Sequence, residues 1–305
     1  MKLFINEIHE DWICNRIRSE FVKAHDFNND NYLVDDVSEA DVVWLLFGWG
    51  WMNISPKILE NRKVILTVHH IDPEKINKSE FLIRDSYVDF YHVPNYKVID
   101  FFPREIDRSK IKVIPYWYDQ DVWMPHDLNL SEDKLVVGSF QRDTEGFDLI
   151  TPKLSKGPDL FCDIVETLNT KYIKCQVILA GYRRQYVMSR LEKAGIEFEY
   201  HEKASLNKVM NLYSKLDLYL VTSRHEGGPQ AILEASATRT PILSTNVGMA
   251  EDVLHEKCVL DFSKEDFITS VLSSRHTMFI DNNFENVQEF ELKKLYKKYI
   301  NLFLL

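Results

Sequence analysis

Short apolar runs alternate with segments of helical periodicity along the whole 305-residue chain. Such runs, bounded by polar or turn-forming residues, predict strands buried on both faces, and the segments between them predict connecting helices. The predicted strands cover residues 2–5, 41–47, 63–69, 89–93 and 111–115, and then 135–140, 176–180, 196–198, 218–221, 241–244 and 259–260. The alternation predicts an α/β fold built on parallel sheets.

The strands form two sets, and a polar stretch at residues 126–134 indicates a linker between them. The length suffices for two domains. We predict a first Rossmann-like domain over residues 1–125, a second over 135–283, and a C-terminal segment over 284–305 that forms one long helix, residues 285–304, and packs on the N-terminal domain. Ligands of open parallel sheets bind beyond the carboxyl ends of the strands.

Composition narrows the possible partners. The net charge of −10 argues against a nucleic-acid partner, whose binding face would be basic. The chain has no apolar run long enough to cross a bilayer, although a local basic patch would still allow peripheral membrane contact. The start turns acidic too early for a signal peptide. The four cysteines are scattered without metal-ligand spacing, which suits reduced thiols in the cytoplasm.

The segment 223–237 contains two glutamates eight positions apart, Glu226 and Glu234. Pro229 between them is expected at the first position of a helix, where its missing N–H costs nothing. The helix is apolar nearly all round and therefore predicted to be buried, so the carboxylate of Glu234 needs a partner. The two carboxylates would lie on the order of 9 Å apart along the axis.

Gly227 and Gly228 precede the same helix, and free N–H groups at a helix N-terminus favour an anion such as phosphate. A ligand that fits has hydroxyls at both ends and phosphate between them. A nucleotide-sugar is such a ligand.

This segment resembles the Glu-x7-Glu signature of the retaining GT-B glycosyltransferases, the glycosyl transferases of group 1. The neighbouring segments agree, because residues 216–222 match the strand before the signature and residues 239–245 match the "G-x-P-V-I" strand after it. The resemblance covers most of residues 135–260 and, more weakly, 64–125. It implies a GT-B fold, with two facing Rossmann-like domains and a C-terminal helix that crosses back to the N-terminal domain.

The resemblance implies two catalytic residues. Glu226 matches the glutamate that contacts the donor sugar, where a carboxylate would steady positive charge at the anomeric carbon. His69 lies in Thr67-Val-His-His70, which resembles the family's "T-V-H-D", and its counterpart approaches the donor sugar from the N-terminal domain. His70 replaces the aspartate, so the acceptor side is expected to differ.

The donor-binding residues follow in the same way. Glu234 matches the glutamate that binds the ribose hydroxyls, and Arg142 and Lys156 match a basic pair that binds the diphosphate. The segment between the two basic residues is longer than in the family, so Lys153 is an alternative to Lys156. The remaining donor-binding candidates are Gly138, Gly227, Gly228 and Pro229.

Other features carry weaker expectations. Arg183 and Arg184 follow a predicted strand, and they either reach a phosphate or an acidic acceptor or begin a solvated helix. The aromatic loop at residues 47–51 is either an acceptor platform or packing. Asp119-Gln-Asp121 lies in a segment that resembles the GT-B hinge, so we predict no metal there. Residues 6–10 lack the glycines that the family often has after its first strand.

The resemblance implies a retaining hexosyltransferase that uses a UDP- or GDP-sugar and the hydroxyl of a glycan or glycoconjugate acceptor, and that takes part in glycan biosynthesis. The resemblance implies no metal and no cofactor, since cationic side chains would stabilise the leaving diphosphate. Two alternatives stay open: a non-catalytic GT-B-like subunit that binds a sugar or a partner, and another GT-B enzyme such as an epimerase or phosphorylase. The sugar, the nucleotide, the acceptor and the oligomeric state are not identified.

Overall fold

The structure is a computed structural model that describes residues 1–7, 13–28, 30–46, 53–127, 130–146 and 148–305. The chain divides into two compact units, one comprising Met1–Asp119 with Phe290–Leu305 and the other Gln120–Glu289. The aromatic loop at residues 47–51 and most of residues 6–10 lie outside the described residues, so the predictions made for them are not addressed.

The first unit contains a parallel sheet of five strands in the order β1-β2-β3-β4-β5. Its strands are β1 (Leu3–Ile5), β2 (Val42–Leu45), β3 (Lys63–Thr67), β4 (Phe90–Val93) and β5 (Ile111–Val113). Its first helices are α1 (Ile13–Phe27), α2 (Pro56–Leu59) and α3 (Lys78–Asp85). The apolar runs become central strands because their side chains are buried on both faces, as in β2, where all four residues are buried.

The end of the chain belongs to this first unit. A single helix is predicted over residues 285–304, but the structure has α11 (Ile280–Val287), a short 3-10 turn, and then α12 (Leu292–Leu304). The break has a backbone cause: Tyr118 N–H donates to Phe290 O at 3.0 Å, and Leu292 N–H donates to Tyr118 O at 3.0 Å. Glu291 between them is extended, with φ −60° and ψ 136°, so the helix cannot run through it.

Helix α12 is fixed in the first unit by aromatic packing. Its Tyr299 and Phe303 are fully buried beside Trp44 of β2, with ring centroids 5.6 and 5.1 Å away. Phe21 of α1 packs on Trp44 edge-on at 5.3 Å. Each large aromatic side chain buries much apolar area, so this cluster stabilises the packing of α1 and α12 against the first sheet.

The second unit contains six parallel strands in the order β11-β10-β9-β6-β7-β8. They are β6 (Leu135–Ser139), β7 (Cys175–Ala180), β8 (Glu197–His201), β9 (Leu218–Val221), β10 (Ile242–Thr245) and β11 (Val259–Leu260). The helices before α11 are α4 (Pro158–Lys171), α5 (Gln185–Ala194), α6 (Leu206–Tyr213), α7 (Gln230–Ala237), α8 (Ala250–Val253), α9 (Lys264–Leu272) and α10 (Arg275–Met278).

The strand order reverses at β6. The chain runs outward from β6 through β7 to β8, returns to the other side of β6 with β9, and then runs outward again to β11. In an open α/β sheet this topological switch point leaves a crevice beyond the carboxyl ends of the two central strands. The loops after β6 and β9 therefore occupy the place where a ligand is expected.

Arg184 joins the loops that follow β6 and β7. Only 1% of the residue is exposed, and its guanidinium donates to Asp143 Oδ2 at 3.0 Å, to Ala180 O at 3.0 Å and to Ser139 Oγ at 3.1 Å. Burial raises the pKa of the Asp143 carboxyl, and the positive charge of Arg184 opposes that rise. The roles expected for Arg184, a contact with a phosphate or an acidic acceptor and a solvated helix start, are wrong, because the residue is buried and its guanidinium is paired with Asp143.

We predict that Asp143→Ala lowers the free energy of unfolding by about 3–5 kcal/mol, because it leaves the guanidinium of Arg184 buried without its counter-charge. Urea denaturation of the purified protein measures the change. The double variant Asp143→Leu with Arg184→Met removes both charges and should recover most of the loss. If Asp143→Ala is as stable as the double variant, the pair has no structural role.

Candidate functional site

The loops after β6 and β9 touch each other through their backbones. Thr222 Oγ donates to Gly157 O at 2.8 Å, and Arg224 N–H donates to Ser155 O at 2.8 Å. Gly157 has φ +61°, and a Cβ on it would lie 1.7 Å from Thr222 O, so no other residue fits there. The contact brings the residue before this glycine, Lys156, to the loop that carries Glu226.

Lys156 and Glu226 form an ion pair between Nζ and Oε1. Their side chains are only 15% and 9% exposed, so the pair is screened less than a surface pair. Ser223 Oγ lies 3.2 Å from the same carboxylate oxygen and 3.3 Å from Gln141 Oε1. Gln141 Nε2 in turn donates to Lys156 O at 2.9 Å. The structure thus brings together two residues that the sequence singled out separately.

Ser223 and Gln141 were missed as site residues, although both lie inside the segments that carry the resemblance. A serine or glutamine in a loop gives no signal in a single sequence, because its hydrogen-bond partners come from another loop. Their contacts here order the ion pair from both sides.

Three cationic side chains share this region. The pKa of Lys153 is lowered to about 8, first by burial and then by the positive charges of Lys156 and Arg142. The negative charges of Glu226 and Glu145 oppose this shift. Cations held close together favour an anion that carries more than one charge, such as a diphosphate. Lys153 and Lys156 thus belong to the same cluster, and which of them binds a diphosphate stays a prediction.

Glu234 lies on α7, with only 6% of the residue exposed. The prediction that α7 is buried is confirmed, since Ile232, Leu233 and Ala237 are all at most 1% exposed. The partner that its carboxylate needs is Tyr213, whose hydroxyl donates to Oε2 at 2.8 Å. Sequence reasoning did not find Tyr213, because it lies 21 positions earlier, at the end of α6.

Pro229 is one position away from its expected place. It is the N-cap of α7 rather than the first helical residue, since its ψ of 113° is extended and the helix begins at Gln230. Its carbonyl still accepts from Ile232 N–H at 3.0 Å, which starts the helical hydrogen-bond ladder.

Two glycines allow close packing around the site. Gly248, after β10, has φ +49°, and a Cβ on it would lie 2.6 Å from Gly227 O and 2.8 Å from Pro229 Cδ. The loop after β10 therefore rests directly on the start of α7. Gly138 lies inside β6, where a Cβ would lie 2.3 Å from Leu216 Cδ1, so its local role is to make room for that side chain.

His69 belongs to the first unit and follows β3. Its Nδ1 lies 2.5 Å from the hydroxyl of Tyr116, and its Nε2 lies 2.5 Å from Leu46 O and 3.4 Å from Cys14 Sγ. A carbonyl only accepts, so Nε2 donates and Nδ1 accepts from the phenol. The imidazole is oriented by these partners, and its contact with a donor sugar stays a prediction.

The described ranges contain no cluster of three or more His, Cys, Asp or Glu side chains that could hold a metal ion. Asp119, from the Asp-x-Asp sequence, is paired with Lys23 at 3.0 Å. In the same ranges no helix combines the length and the apolar character needed to cross a bilayer.

Comparison with known proteins agrees with this architecture. Residues 151–259 match the family model described as glycosyl transferases group 1. The crystal structure of HepE from Anabaena in complex with UDP and glucose is similar over 98% of both chains, with a TM-score of 0.72 and 13% identity. The chain has the GT-B fold.

Two further solved structures are similar to this chain in fold at low sequence identity. The match to a glycosyltransferase from Rickettsia africae covers 99% of this chain and 97% of that protein's chain, with a TM-score of 0.70 and 14% identity. The match to sucrose-phosphate synthase from Thermosynechococcus elongatus covers 98% of this chain and 80% of that protein's chain, with a TM-score of 0.69 and 13% identity. No curated protein matches the sequence. The predicted resemblance to the GT-B glycosyltransferases is confirmed.

We predict that Gly157→Ala is more destabilising than Gly195→Ala. Both glycines have positive φ, +61° and +64°, but a Cβ at Gly195 meets nothing within 4 Å. Gly195→Ala should therefore cost only the backbone strain, about 1–2 kcal/mol, whereas Gly157→Ala adds a clash with Thr222 O. Thermal unfolding of both variants measures the difference, and equal losses would show that the contact between the two loops is loose.

Proposed function

We propose that this protein is a retaining glycosyltransferase that moves a hexose from a nucleoside-diphosphate sugar to a hydroxyl of a glycan or glycoconjugate. The observation that carries the proposal is the ion pair of Lys156 with Glu226 at the switch point of the second sheet. We take UDP as the nucleotide of the donor, because HepE was solved with UDP and with UDP-glucose.

The cation cluster gives the site its chemistry. When the bond between the anomeric carbon and the diphosphate oxygen breaks, the electron pair stays on that oxygen and its negative charge grows. Arg142, Lys153 and Lys156 are grouped to stabilise such a charge, and cations placed in advance lower the barrier without reorganising. Because these side chains supply positive charge, we propose that the reaction needs no metal ion and no cofactor.

The ion pair links the two ends of the reacting bond. A bound diphosphate competes with Glu226 for Lys156, and the released carboxylate can then steady the positive charge that develops at the anomeric carbon. Ser223 keeps that carboxylate oriented after Lys156 has moved to the ligand. Glu226 thus has a partner in the free protein and a different role in the complex.

Retention follows if the acceptor hydroxyl attacks from the face that the diphosphate leaves. In this mechanism the leaving diphosphate oxygen accepts the proton of the acceptor hydroxyl, so no side chain has to act as general base. His69 would contact the donor sugar, Glu234 the ribose, and the backbone N–H groups of Gly227 and Gly228 the phosphates. The four free cysteines are all buried, which suits the cytoplasmic location that we propose.

A non-catalytic GT-B-like subunit is the alternative. One observation favours it: both ring nitrogens of His69 already have partners within the first unit. The grouping of three cations with Glu226 favours the enzyme. If free UDP is released from a UDP-hexose only when an acceptor is present, the protein is an enzyme and not a non-catalytic subunit.

We predict that Glu226→Gln lowers kcat for hexose transfer about 100-fold or more, because the neutral amide cannot steady the cationic transition state. UDP affinity should not fall, since the variant removes the carboxylate that competes with the diphosphate for Lys156. UDP release from a panel of UDP-hexoses and glycan acceptors measures the rate, and calorimetry measures the affinity.

Glu192→Gln is the matched control, because Glu192 is an exposed acid on α5 of the same unit. It should transfer hexose at the wild-type rate. EDTA should leave the wild-type rate unchanged. Full activity of Glu226→Gln would contradict the proposed role of the carboxylate, and loss of activity in EDTA would contradict metal independence.

We predict that UDP affinity falls as the pH rises through about 8. The pKa of Lys153 is lowered to about 8, so its ammonium is charged below this pH and neutral above it, and only the charged form attracts diphosphate. Calorimetric titration between roughly pH 7 and pH 9.5 measures the effect. Lys153→Arg stays protonated over this range and should keep its affinity. An equal fall in both proteins would exclude Lys153 as the cause.

A further inference from the structure

Tyr213 is the last residue of α6, its side chain is fully buried, and its hydroxyl donates to Glu234 Oε2 at 2.8 Å. We infer that Tyr213 is a positioning residue that holds the carboxylate of Glu234 in the orientation in which it accepts hydrogen bonds from the ribose hydroxyls of the nucleotide. The inference rests on the proposed function and adds to it a determinant of ribose recognition.

The phenol of Tyr213 is itself fixed by packing. Its ring centroid lies 4.9 Å from that of Phe140, 5.3 Å from that of Tyr219 and 5.7 Å from that of Trp123. Thr240 Oγ donates to the backbone carbonyl of Tyr213 at 3.3 Å. Since the ring is enclosed by aromatic neighbours and the backbone is anchored, the position of the phenolic oxygen is fixed.

The carboxylate of Glu234 needs such a fixed donor. A glutamate side chain has several rotatable bonds, and ordering it at the moment of ligand binding would cost conformational entropy. The hydrogen bond from Tyr213 orders it beforehand, in a helix whose neighbouring residues are buried and apolar. A hydrogen bond to an ionised acceptor is among the stronger kinds in proteins.

One phenol does not saturate the carboxylate. An ionised carboxylate offers about four acceptor positions, so it can accept from the phenol and from ligand hydroxyls at once. The vicinal 2′ and 3′ hydroxyls of a ribose are two donors at the spacing of one carboxylate. The chemistry of the pair therefore selects a ribonucleotide over a deoxyribonucleotide.

Tyr91 of β4 offers a matched control in the first unit. It is also fully buried, and its hydroxyl donates to a carboxylate, that of Asp85, at 3.0 Å. Removing either hydroxyl leaves the ring and its packing in place. Tyr219 does not serve as a control, because its hydroxyl is hydrogen-bonded to the side chain of Tyr213.

The test is the affinity of Tyr213→Phe for UDP, 2′-deoxy-UDP and 3′-deoxy-UDP, measured by isothermal titration calorimetry. We expect UDP to bind about tenfold more weakly than to the wild type, as for the loss of a hydrogen bond to a charged group. For the deoxynucleotide that lacks the hydroxyl bound by Glu234, Tyr213→Phe should lower the affinity by less than about twofold. In a Glu234→Ala background, Tyr213→Phe should have no further effect on UDP.

Tyr91→Phe should bind UDP within about twofold of the wild type, because its hydroxyl contacts Asp85 in the first unit and not Glu234. Equal losses for UDP and both deoxynucleotides in Tyr213→Phe would overturn the positioning role and leave the proposed function standing. Failure of the wild type to bind UDP, GDP or ADP would overturn the proposed function and the inference together. If Tyr213→Phe does not fold, a crystal structure of the wild-type UDP complex decides, because a ribose without a hydrogen bond to Glu234 would overturn the inference.

Discussion

The backbone contact between Gly157 and Thr222 is the constraint on which the candidate site depends. A side chain at position 157 would collide with a carbonyl, so only glycine lets the loop after β6 lie against the loop after β9. The contact sets Lys156 beside Glu226 and leaves both side chains mostly shielded from water. In the proposed function, Lys156 can exchange the carboxylate of Glu226 for a diphosphate with little movement of the backbone.

The second carboxylate of the site is held by a different means. Glu226 lies in a loop and forms an ion pair with Lys156, whereas Glu234 lies in a buried helix and accepts a hydrogen bond from the phenol of Tyr213. The difference suits the proposed roles, because the carboxylate beside the sugar must respond to a charge that develops during the reaction. The carboxylate beside the ribose only has to accept hydrogen bonds, so a rigid donor in an aromatic cluster serves it.

Much of the fold could be predicted from the sequence. All eleven predicted strands are present within a few residues, because buried parallel strands need continuous apolar runs that are visible in the chain. The terminal helix was predicted as one piece and is broken at Glu291, since its backbone pairs with Tyr118 from a distant part of the chain. Arg184 was expected at a phosphate or in solvent, and its burial with Asp143 depends on a loop 41 positions away.

The sequence by itself determined the local features: the alternation of strands and helices, the buried helix α7, and the two glutamates, one in the loop before this helix and one within it. These depend on neighbours close in the chain, whose spacing sets periodicity and capping. Only the tertiary structure decided the partners, including Lys156 for Glu226, Tyr213 for Glu234 and Tyr116 for His69. Such pairs form where strands far apart in sequence become adjacent, and a single sequence does not record that adjacency.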